Sequence, residues 1–172
     1  SPKIHNHWIE SEKINVGPYQ KINVKKENFI RDVDRLIEEG YYGLNVTVPL
    51  KEDAYKYCDN TSDVARTLKA VNTLIINKDG VYGDNTDPIG FEKSIANRGL
   101  NNKPCLVLGA GGSARAVVYA LSHMKCEIGI YNRTRENAEL LCSDLGVDAT
   151  VLTEKTISEF IRSSQLVVNT TS

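Results

Sequence analysis

A glycine-rich loop between an apolar strand and an alanine-rich helix constrains the fold of this chain more than any other feature. Its residues Gly109-Ala110-Gly111-Gly112-Ser113-Ala114 match the pattern G-x-G-x-x-A. Pro104 to Leu108 is typical of a buried strand, Gly112 to about Met124 of a helix, and Glu127 to Tyr131 of a second strand. Such a unit turns at its glycines, so that backbone N–H groups meet a pyrophosphate. Arg115 adds a cation nearby, although a tight turn without a ligand is the alternative for a glycine cluster.

The residues after the second strand indicate which dinucleotide such a loop would bind. NAD enzymes place an acidic residue about 20 positions beyond the glycines, where it holds the ribose 2′-hydroxyl. Here that position is Asn132, and Arg133, Thr134 and Arg135 follow it. Guanidinium groups and a hydroxyl suit a 2′-phosphate, so the sequence favours NADP. Solvated arginines at a helix start are the alternative interpretation.

Strands and helices alternate over the rest of the chain. In the first half the predicted strands are Tyr19 to Val24, Gly43 to Val48, Val71 to Asn77 and Val81 to Asp84, and the predicted helices are Lys25 to Glu39, Glu52 to Tyr57, one capped by Ser62, and Asp87 to Asn97. In the second half, a helix at Thr134 to Leu145 precedes strands at Ala149 to Leu152 and Leu166 to Asn169. We therefore predict an α/β fold, with one α/β domain over residues 1–86 and a Rossmann-type, doubly wound domain over residues 87–172.

Charge and cysteine content exclude several classes of partner. The net charge is −1, with 21 basic and 22 acidic residues, so neither nucleic acid nor a membrane surface is an expected partner. No apolar run approaches the roughly 20 residues of a membrane-spanning helix. The four cysteines are widely separated and no metal site is predicted, which favours a reduced, cytoplasmic chain. A small molecule or a second copy of the chain is the expected partner.

Both ends of the chain resemble cuts within a longer protein. The chain starts at Ser1-Pro2 without an initiator Met and stops at Asn169-Thr170-Thr171-Ser172, directly after a strand-like run. We expect an internal fragment that lacks an N-terminal strand and a C-terminal part of the second domain.

A series of short motifs resembles shikimate dehydrogenases over essentially the whole chain. In order they are Ser1-Pro2-x-x-His5-Asn6, Asn45-Val46-Thr47-Val48-Pro49-Leu50-Lys51-Glu52, Ala70-Val71-Asn72-Thr73, Gly83-Asp84-Asn85-Thr86-Asp87, Gly109-Ala110-Gly111-Gly112 and Asn132-Arg133-Thr134. The resemblance implies a substrate-binding catalytic domain followed by an NADP-binding domain. It also implies NADP-dependent reduction of 3-dehydroshikimate to shikimate, in the biosynthesis of chorismate and aromatic amino acids, by a cytoplasmic monomer or homodimer.

The resemblance also assigns roles to residues. It matches Lys51 to the catalytic lysine and Asp87 to its paired carboxylate, which suits a reaction that must deliver a proton to a developing alkoxide. It implies that Ser1 binds the carboxylate of the substrate. It also implies that the ring hydroxyls are bound by Asn45, Thr47, Lys51, Asn72 and Asp87. Those that it implies for NADP are the loop Gly109 to Ala114, Asn132 to Arg135, and Asn169 and Thr170. Helix or turn capping is the alternative role for Asn72 and Asp87.

Two rivals remain open. One is a quinate/shikimate dehydrogenase that uses NAD or both cofactors, against which Asn132 and Arg133 argue. The other is a dehydrogenase-like binding protein without catalysis, against which the presence of both Lys51 and Asp87 argues. Other two-domain NADP enzymes, such as methylenetetrahydrofolate dehydrogenase or glutamyl-tRNA reductase, fit the first-half motifs less well.

Overall fold

The chain folds into two four-stranded sheets, one in each half, in a computed structural model that describes residues 2–171. The strands of the first sheet are β1 (Gly43–Asn45), β2 (Asn60–Thr61), β3 (Thr73–Asn77) and β4 (Gly80–Asp84). Those of the second are β5 (Pro104–Leu108), β6 (Glu127–Tyr131), β7 (Thr150–Val151) and β8 (Leu166–Asn169). The α/β fold class predicted from the sequence is confirmed.

The first sheet is mixed, in the order β1-β3-β4-β2. β3 and β4 form a hairpin, because they pair antiparallel and Asn77 lies opposite Gly80. β1 runs antiparallel to β3, and β2 runs parallel to β4. The end of β1, the start of β3 and the end of β4 therefore lie side by side at one edge of the sheet, at Asn45, Thr73 and Asp84.

The strand predicted at Tyr19 to Val24 is wrong, since this segment is irregular. Its backbone groups at Tyr19 are bound by a side chain rather than by a neighbouring strand. Tyr19 N donates to Asn6 Oδ1 at 2.7 Å, and Asn6 Nδ2 donates to Tyr19 O at 3.1 Å. A side chain that satisfies both backbone groups replaces the sheet ladder that the loose alternation of apolar residues suggested.

Five helices belong to or follow the first sheet: α1 (Pro2–Ser11), α2 (Phe29–Glu38), α3 (Lys51–Tyr57), α4 (Asp63–Leu68) and α5 (Asp87–Ile95). The helix predicted within Lys25 to Glu39 is present as α2, and its apolar residues Phe29, Val33 and Leu36 are buried in the core of this half. The predicted cap of α4 is also confirmed, since Ser62 Oγ accepts a hydrogen bond from Ala65 N at 3.1 Å. α1 was not predicted from the sequence, and none of its residues is buried.

The second sheet is wholly parallel, in the order β7-β6-β5-β8. Its helices are α6 (Gly112–His123), α7 (Arg135–Leu145) and α8 (Ile157–Ser163). Ile128 and Ile130 of β6 pack into the core that α6 and α7 cover. Gly129 points to the other face, where Phe160 of α8 lies directly against it. Helices on both faces of a parallel sheet confirm the doubly wound arrangement.

None of the helices within residues 2–171 has the length and apolar character that crossing a membrane requires.

Candidate active site

Lys51 and Asp87 form a close ion pair at the start of two helices. Lys51 begins α3, and Asp87 begins α5. Lys51 Nζ lies 2.6 Å from Asp87 Oδ2, and the two side chains are 18% and 36% exposed. The pair is therefore fixed in position while one side stays open to a ligand, which is the arrangement that a proton donor needs.

Asn72 joins this pair to neighbouring polar groups. It is only 9% exposed, and its Nδ2 donates to Asp87 Oδ1 at 2.9 Å and to Thr86 Oγ1 at 3.0 Å. Its Oδ1 accepts from Thr86 N at 3.1 Å and from Thr73 Oγ1 at 2.8 Å. Asn72 thus binds backbone before α5, as its capping interpretation expects, and also orients the Asp87 carboxylate.

The same polar row continues to the end of β1 and the start of β3. Asn45 Nδ2 donates to Thr73 Oγ1 at 3.3 Å. Tyr19 Oη donates to Asn45 Oδ1 at 3.1 Å. The row that runs from Tyr19 through Asn45, Thr73 and Asn72 to the ion pair presents hydroxyl, amide and charged groups, which suit a polyhydroxylated ligand.

Tyr19 is a site residue that the sequence reasoning left undecided. The His5 ring stacks on it, with centroids 4.1 Å apart, and Asn6 holds its backbone as described above. His5 and Asn6 belong to the first motif, but nothing in the sequence shows that Tyr19 is their partner. Trp8 is 53% exposed, and its ring packs edge-on against His5 with centroids 5.5 Å apart.

Thr47 lies at the edge of this row. With Tyr19 and Asn45 it lines a cavity of about 450 Å³. Most of that cavity is apolar and is lined by residues of α2 such as Val33 and Leu36. Neither Lys51 nor Asp87 lines it, so we place the candidate site at its polar rim. Ser1 lies outside the described residues.

The glycine loop meets the end of β8 at the edge of the second sheet. Gly109 has φ +108°, and its N donates to Tyr131 O at 2.8 Å. A Cβ atom there would lie 2.5 Å from Thr170 Oγ1, so only glycine fits. Thr170 donates to Leu108 O from its N at 2.9 Å and from its Oγ1 at 2.7 Å. Because β6 and β8 lie on opposite sides of β5, the strand order reverses at β5, and this edge is a topological switch point, where such folds bind ligands.

The first turn of α6 offers free backbone donors at this edge. The first bond along the helix runs from Arg115 N to Gly111 O at 3.1 Å, which leaves the N–H groups of Gly112, Ser113 and Ala114 without a helical partner. Cβ atoms added at Gly111 and Gly112 would meet nothing within 4 Å. Open space, free donors and the helix dipole fit a pyrophosphate.

The residues predicted to bind the ribose end of the cofactor follow β6, and all but the half-buried Asn132 are exposed. Asn132 Nδ2 donates to Thr134 O at 2.7 Å, which shapes the turn into α7. Arg133 and Thr134 are exposed. Arg135 Nε donates to Glu139 Oε1 at 2.7 Å, so part of its guanidinium group is already hydrogen-bonded. Arg133 is therefore the better placed cation for a 2′-phosphate.

Arg115 does not serve the pyrophosphate as the sequence suggested. Its Nε donates to Leu68 O at 3.1 Å, and its Nη1 donates to Asp144 Oδ2 at 3.0 Å. The guanidinium therefore connects α4 with α6 and α7, because a nearby carbonyl and carboxylate satisfy its donors.

The four cysteines are free thiols. Burial raises the pKa of Cys58 to about 11 and that of Cys105 to about 12. These thiols are protonated near neutral pH, so they are poor nucleophiles. Between residues 2 and 171 the structure holds no cluster of three or more His, Cys, Asp or Glu side chains suited to a metal ion.

Sequence comparison relates both halves to one family. Residues 1–74 match the family model described as shikimate dehydrogenase substrate binding domain, and residues 92–172 match the one described as shikimate / quinate 5-dehydrogenase. The chain belongs to the shikimate dehydrogenase family. Within that family it is 40% identical to the shikimate dehydrogenase (NADP(+)) of Roseobacter denitrificans, across 100% of this chain and 64% of the relative.

Solved structures of the family share the fold. The shikimate dehydrogenase of Aquifex aeolicus superposes with a TM-score of 0.89 at 34% identity, covering 99% of this chain and 63% of that protein. The Thermus thermophilus shikimate 5-dehydrogenase, in complex with NADP(H) and shikimate, gives 0.85 at 33% identity, covering 99% and 62%. The chain thus spans somewhat less than two thirds of the length of these shikimate dehydrogenases.

Proposed function

We propose that the protein is an NADP-dependent shikimate dehydrogenase, which interconverts 3-dehydroshikimate and shikimate in chorismate and aromatic amino acid biosynthesis. The observation that carries this proposal is the Lys51–Asp87 pair, 2.6 Å apart and linked through Asn72 to a row of hydroxyl and amide groups. The related Thermus thermophilus protein, whose structure contains NADP(H) and shikimate, supports the choice of ligands.

In this proposal the protein supplies a proton and holds the reacting oxygen. NADP, when bound, supplies or accepts the hydride. The Lys51 ammonium donates a hydrogen bond and then a proton to the oxygen of the reacting carbon. Asp87 holds that ammonium in place through the 2.6 Å contact, and Asn72 holds Asp87. In the reverse direction, Lys51 accepts the proton from the hydroxyl.

The polar row binds the substrate. Asn45, Thr47, Asn72 and Asp87 bind the ring hydroxyls, and Ser1 binds the carboxylate. Because Asn45 and Asn72 already make hydrogen bonds to neighbouring side chains, their amide groups are oriented before the substrate arrives. Such preorganisation lowers the entropy cost of binding.

The residues that hold NADP lie along one edge of the second sheet. The pyrophosphate binds at Gly109, Ala110, Gly111, Gly112, Ser113 and Ala114, the 2′-phosphate at Asn132, Arg133, Thr134 and Arg135, and the nicotinamide side passes Asn169 and Thr170. The open space above Gly111 and Gly112 and the close contact of Gly109 with Thr170 support this path.

The two domains have separate roles. Residues 1–86 form the substrate-binding catalytic domain, and residues 87–172 belong to the NADP-binding domain. The two separate sheets support a boundary between Asp84 and Pro104, the last residue of β4 and the first of β5. We propose a cytoplasmic monomer or homodimer whose partner is its small-molecule substrate.

Steady-state kinetics of the full-length protein test the proposal. Shikimate and quinate are each offered with NADP⁺ and with NAD⁺, and kcat/KM is compared for the four combinations. We expect the largest value for shikimate with NADP⁺. The absence of turnover with all four pairs would favour a binding protein and contradict the proposal.

The second candidate function is a quinate/shikimate dehydrogenase with NAD or mixed cofactor use. The quinate dehydrogenase part of the matching family description favours it. The same assay distinguishes the two, because a larger kcat/KM for quinate with NAD⁺ would select this alternative.

A further inference from the structure

Arg115 makes one of the contacts between the two halves of the chain. Arg115 lies in the first turn of α6, and Leu68 is the last residue of α4. The bond from Arg115 Nε to Leu68 O, 3.1 Å long, crosses from the second half of the chain to the first. The last carbonyls of a helix have no partner within it, so Arg115 satisfies a group that α4 leaves open.

A carboxylate on a third helix fixes the same guanidinium. Asp144, near the end of α7, accepts from Arg115 Nη1 at 3.0 Å and lies 3.4 Å from Lys69 Nζ. The side chains of Arg115 and Asp144 are only 16% and 25% exposed. The hydrogen bond from Arg115 lowers the pKa of Asp144, so the contact is between full charges at neutral pH.

Apolar packing surrounds this polar contact. Leu68, Ala70 and Ala116 are buried together, and Tyr119 and Leu145 pack against them. This cluster contains residues of both halves, and the small side chains of Ala70 and Ala116 allow close approach. The junction is therefore a defined contact rather than a loose meeting of two surfaces.

The junction lies between the two candidate ligand sites. Arg115 is three positions after Gly112, about 4.5 Å along α6 from the proposed pyrophosphate site. Leu68 is four residues before Asn72, whose Nδ2 donates to Asp87. A rotation of α6 about this contact moves the proposed NADP site relative to Lys51 and Asp87.

We propose that Arg115, held by Asp144 and bound to Leu68 O, is a positioning residue that sets the NADP site against the Lys51–Asp87 pair for hydride transfer. This inference rests on the proposed function. Hydride transfer needs the two reacting carbons at near-contact distance, and a misplacement of about 1 Å costs up to about 100-fold in rate.

The test uses Arg115→Lys in the full-length enzyme. The lysine keeps the positive charge, but it has no planar guanidinium group that can bind Leu68 O and Asp144 at the same time. We expect kcat to fall about 10- to 100-fold, with the KM values for shikimate and NADP⁺ close to those of the wild type. Shikimate that carries deuterium at the oxidised carbon should then show a primary isotope effect at least as large as in the wild type.

Arg66→Lys is the matched control. Arg66 also binds a carboxylate and a carbonyl, Asp63 and Thr61 O, but both belong to the first half of the chain. Wild-type turnover is expected from this variant. Thermal unfolding of both variants separates positioning from stability. Arg115 Nη2 is buried without a hydrogen-bond partner among residues 2–171, so any loss of stability in Arg115→Lys comes from the bonds to Leu68 O and Asp144.

Three results would overturn the inference: an unchanged kcat, a loss confined to the KM for NADP⁺, or a slow step without an isotope effect. If Arg115→Lys does not fold, Asp144→Asn takes its place, with a smaller fall in kcat expected and unchanged turnover contradicting the inference. If the proposed function itself is wrong, the wild type and Arg66→Lys are inactive with shikimate too, which distinguishes the two failures.

Discussion

Lys51 and Asp87 lie 36 positions apart in sequence and 2.6 Å apart in the fold. We expect Lys51→Ala in the full-length enzyme to lower kcat by about 10²- to 10⁴-fold, because the developing alkoxide loses its proton donor. Turnover of shikimate with NADP⁺ at saturating concentrations measures this. Lys56→Ala is the control, since Lys56 is exposed on the same helix. Normal turnover of Lys51→Ala would disprove the acid/base role.

We expect Arg133 to give the protein its preference for NADP over NAD. It is exposed at the end of β6, and Arg133→Ala removes a charge-assisted bond worth about 1.5–3 kcal/mol. The KM for NADP⁺ should therefore rise about 10- to 100-fold, while the KM for NAD⁺ changes little.

The control for this prediction is Arg162→Ala, at an exposed arginine of α8. Equal losses for NADP⁺ and NAD⁺ in Arg133→Ala would show that Arg133 does not read the 2′-phosphate.

At the scale of elements, the loop between β5 and α6 depends on one backbone conformation. Gly109 has φ +108°, and an added Cβ would lie 2.5 Å from Thr170 Oγ1. Gly109→Ala should lower the free energy of unfolding by about 1–3 kcal/mol and weaken NADP⁺ binding, because the loop must move away from β8. Urea unfolding and NADP⁺ titration of the full-length protein measure the two effects.

Gly99→Ala separates strain from steric overlap in that experiment. Gly99 also has positive φ, +63°, but its added Cβ would meet nothing within 4 Å. A loss of stability of about 1 kcal/mol without a change in NADP⁺ affinity is expected. If both variants bind NADP⁺ equally well, the loop is not the pyrophosphate site.

The elements that the sequence predicted well are those with strong local signals. β5, β6 and β8 have their predicted bounds, since short apolar runs between turn signals are typical of buried parallel strands. α2 was predictable from its apolar spacing. The segment from Tyr19 to Val24 was not, because its conformation depends on Asn6, a residue 13 positions away.

At the scale of the whole molecule, the junction between the halves should weaken in acid. The hydrogen bond from Arg115, with help from Lys69, lowers the pKa of Asp144 below its usual value, and partial burial opposes this. A carboxylate with a lowered pKa stabilises the folded state above its unfolded pKa of about 3.9 and loses that contribution as pH falls through the folded value.

Urea unfolding of the wild type and Asp144→Asn tests this expectation. The wild type should be more stable than the variant at about pH 6, and the difference should shrink towards about pH 3. Asp148→Asn, at an exposed carboxylate beyond α7, is the control. A difference that persists unchanged in acid would contradict the proposed charge contact.

The sequence by itself determined the local parts of the protein. The glycine loop and the Asn132-Arg133 segment were recognised from short motifs, because each satisfies a local requirement such as a tight turn or a charge. Lys51 and Asp87 were recognised from the resemblance of their motifs to those of shikimate dehydrogenases. The role of these residues stays a prediction, but their identity needed no coordinates.

Only the tertiary structure decided which of these parts meet. The row from Tyr19 to Asp87 joins residues of separate elements, and Arg115 turns to Leu68 and Asp144 instead of a phosphate. A sequence motif specifies that a side chain can donate a hydrogen bond, but packing chooses the acceptor. The glycine loop therefore followed from sequence, whereas the junction that sets it against the Lys51–Asp87 pair did not.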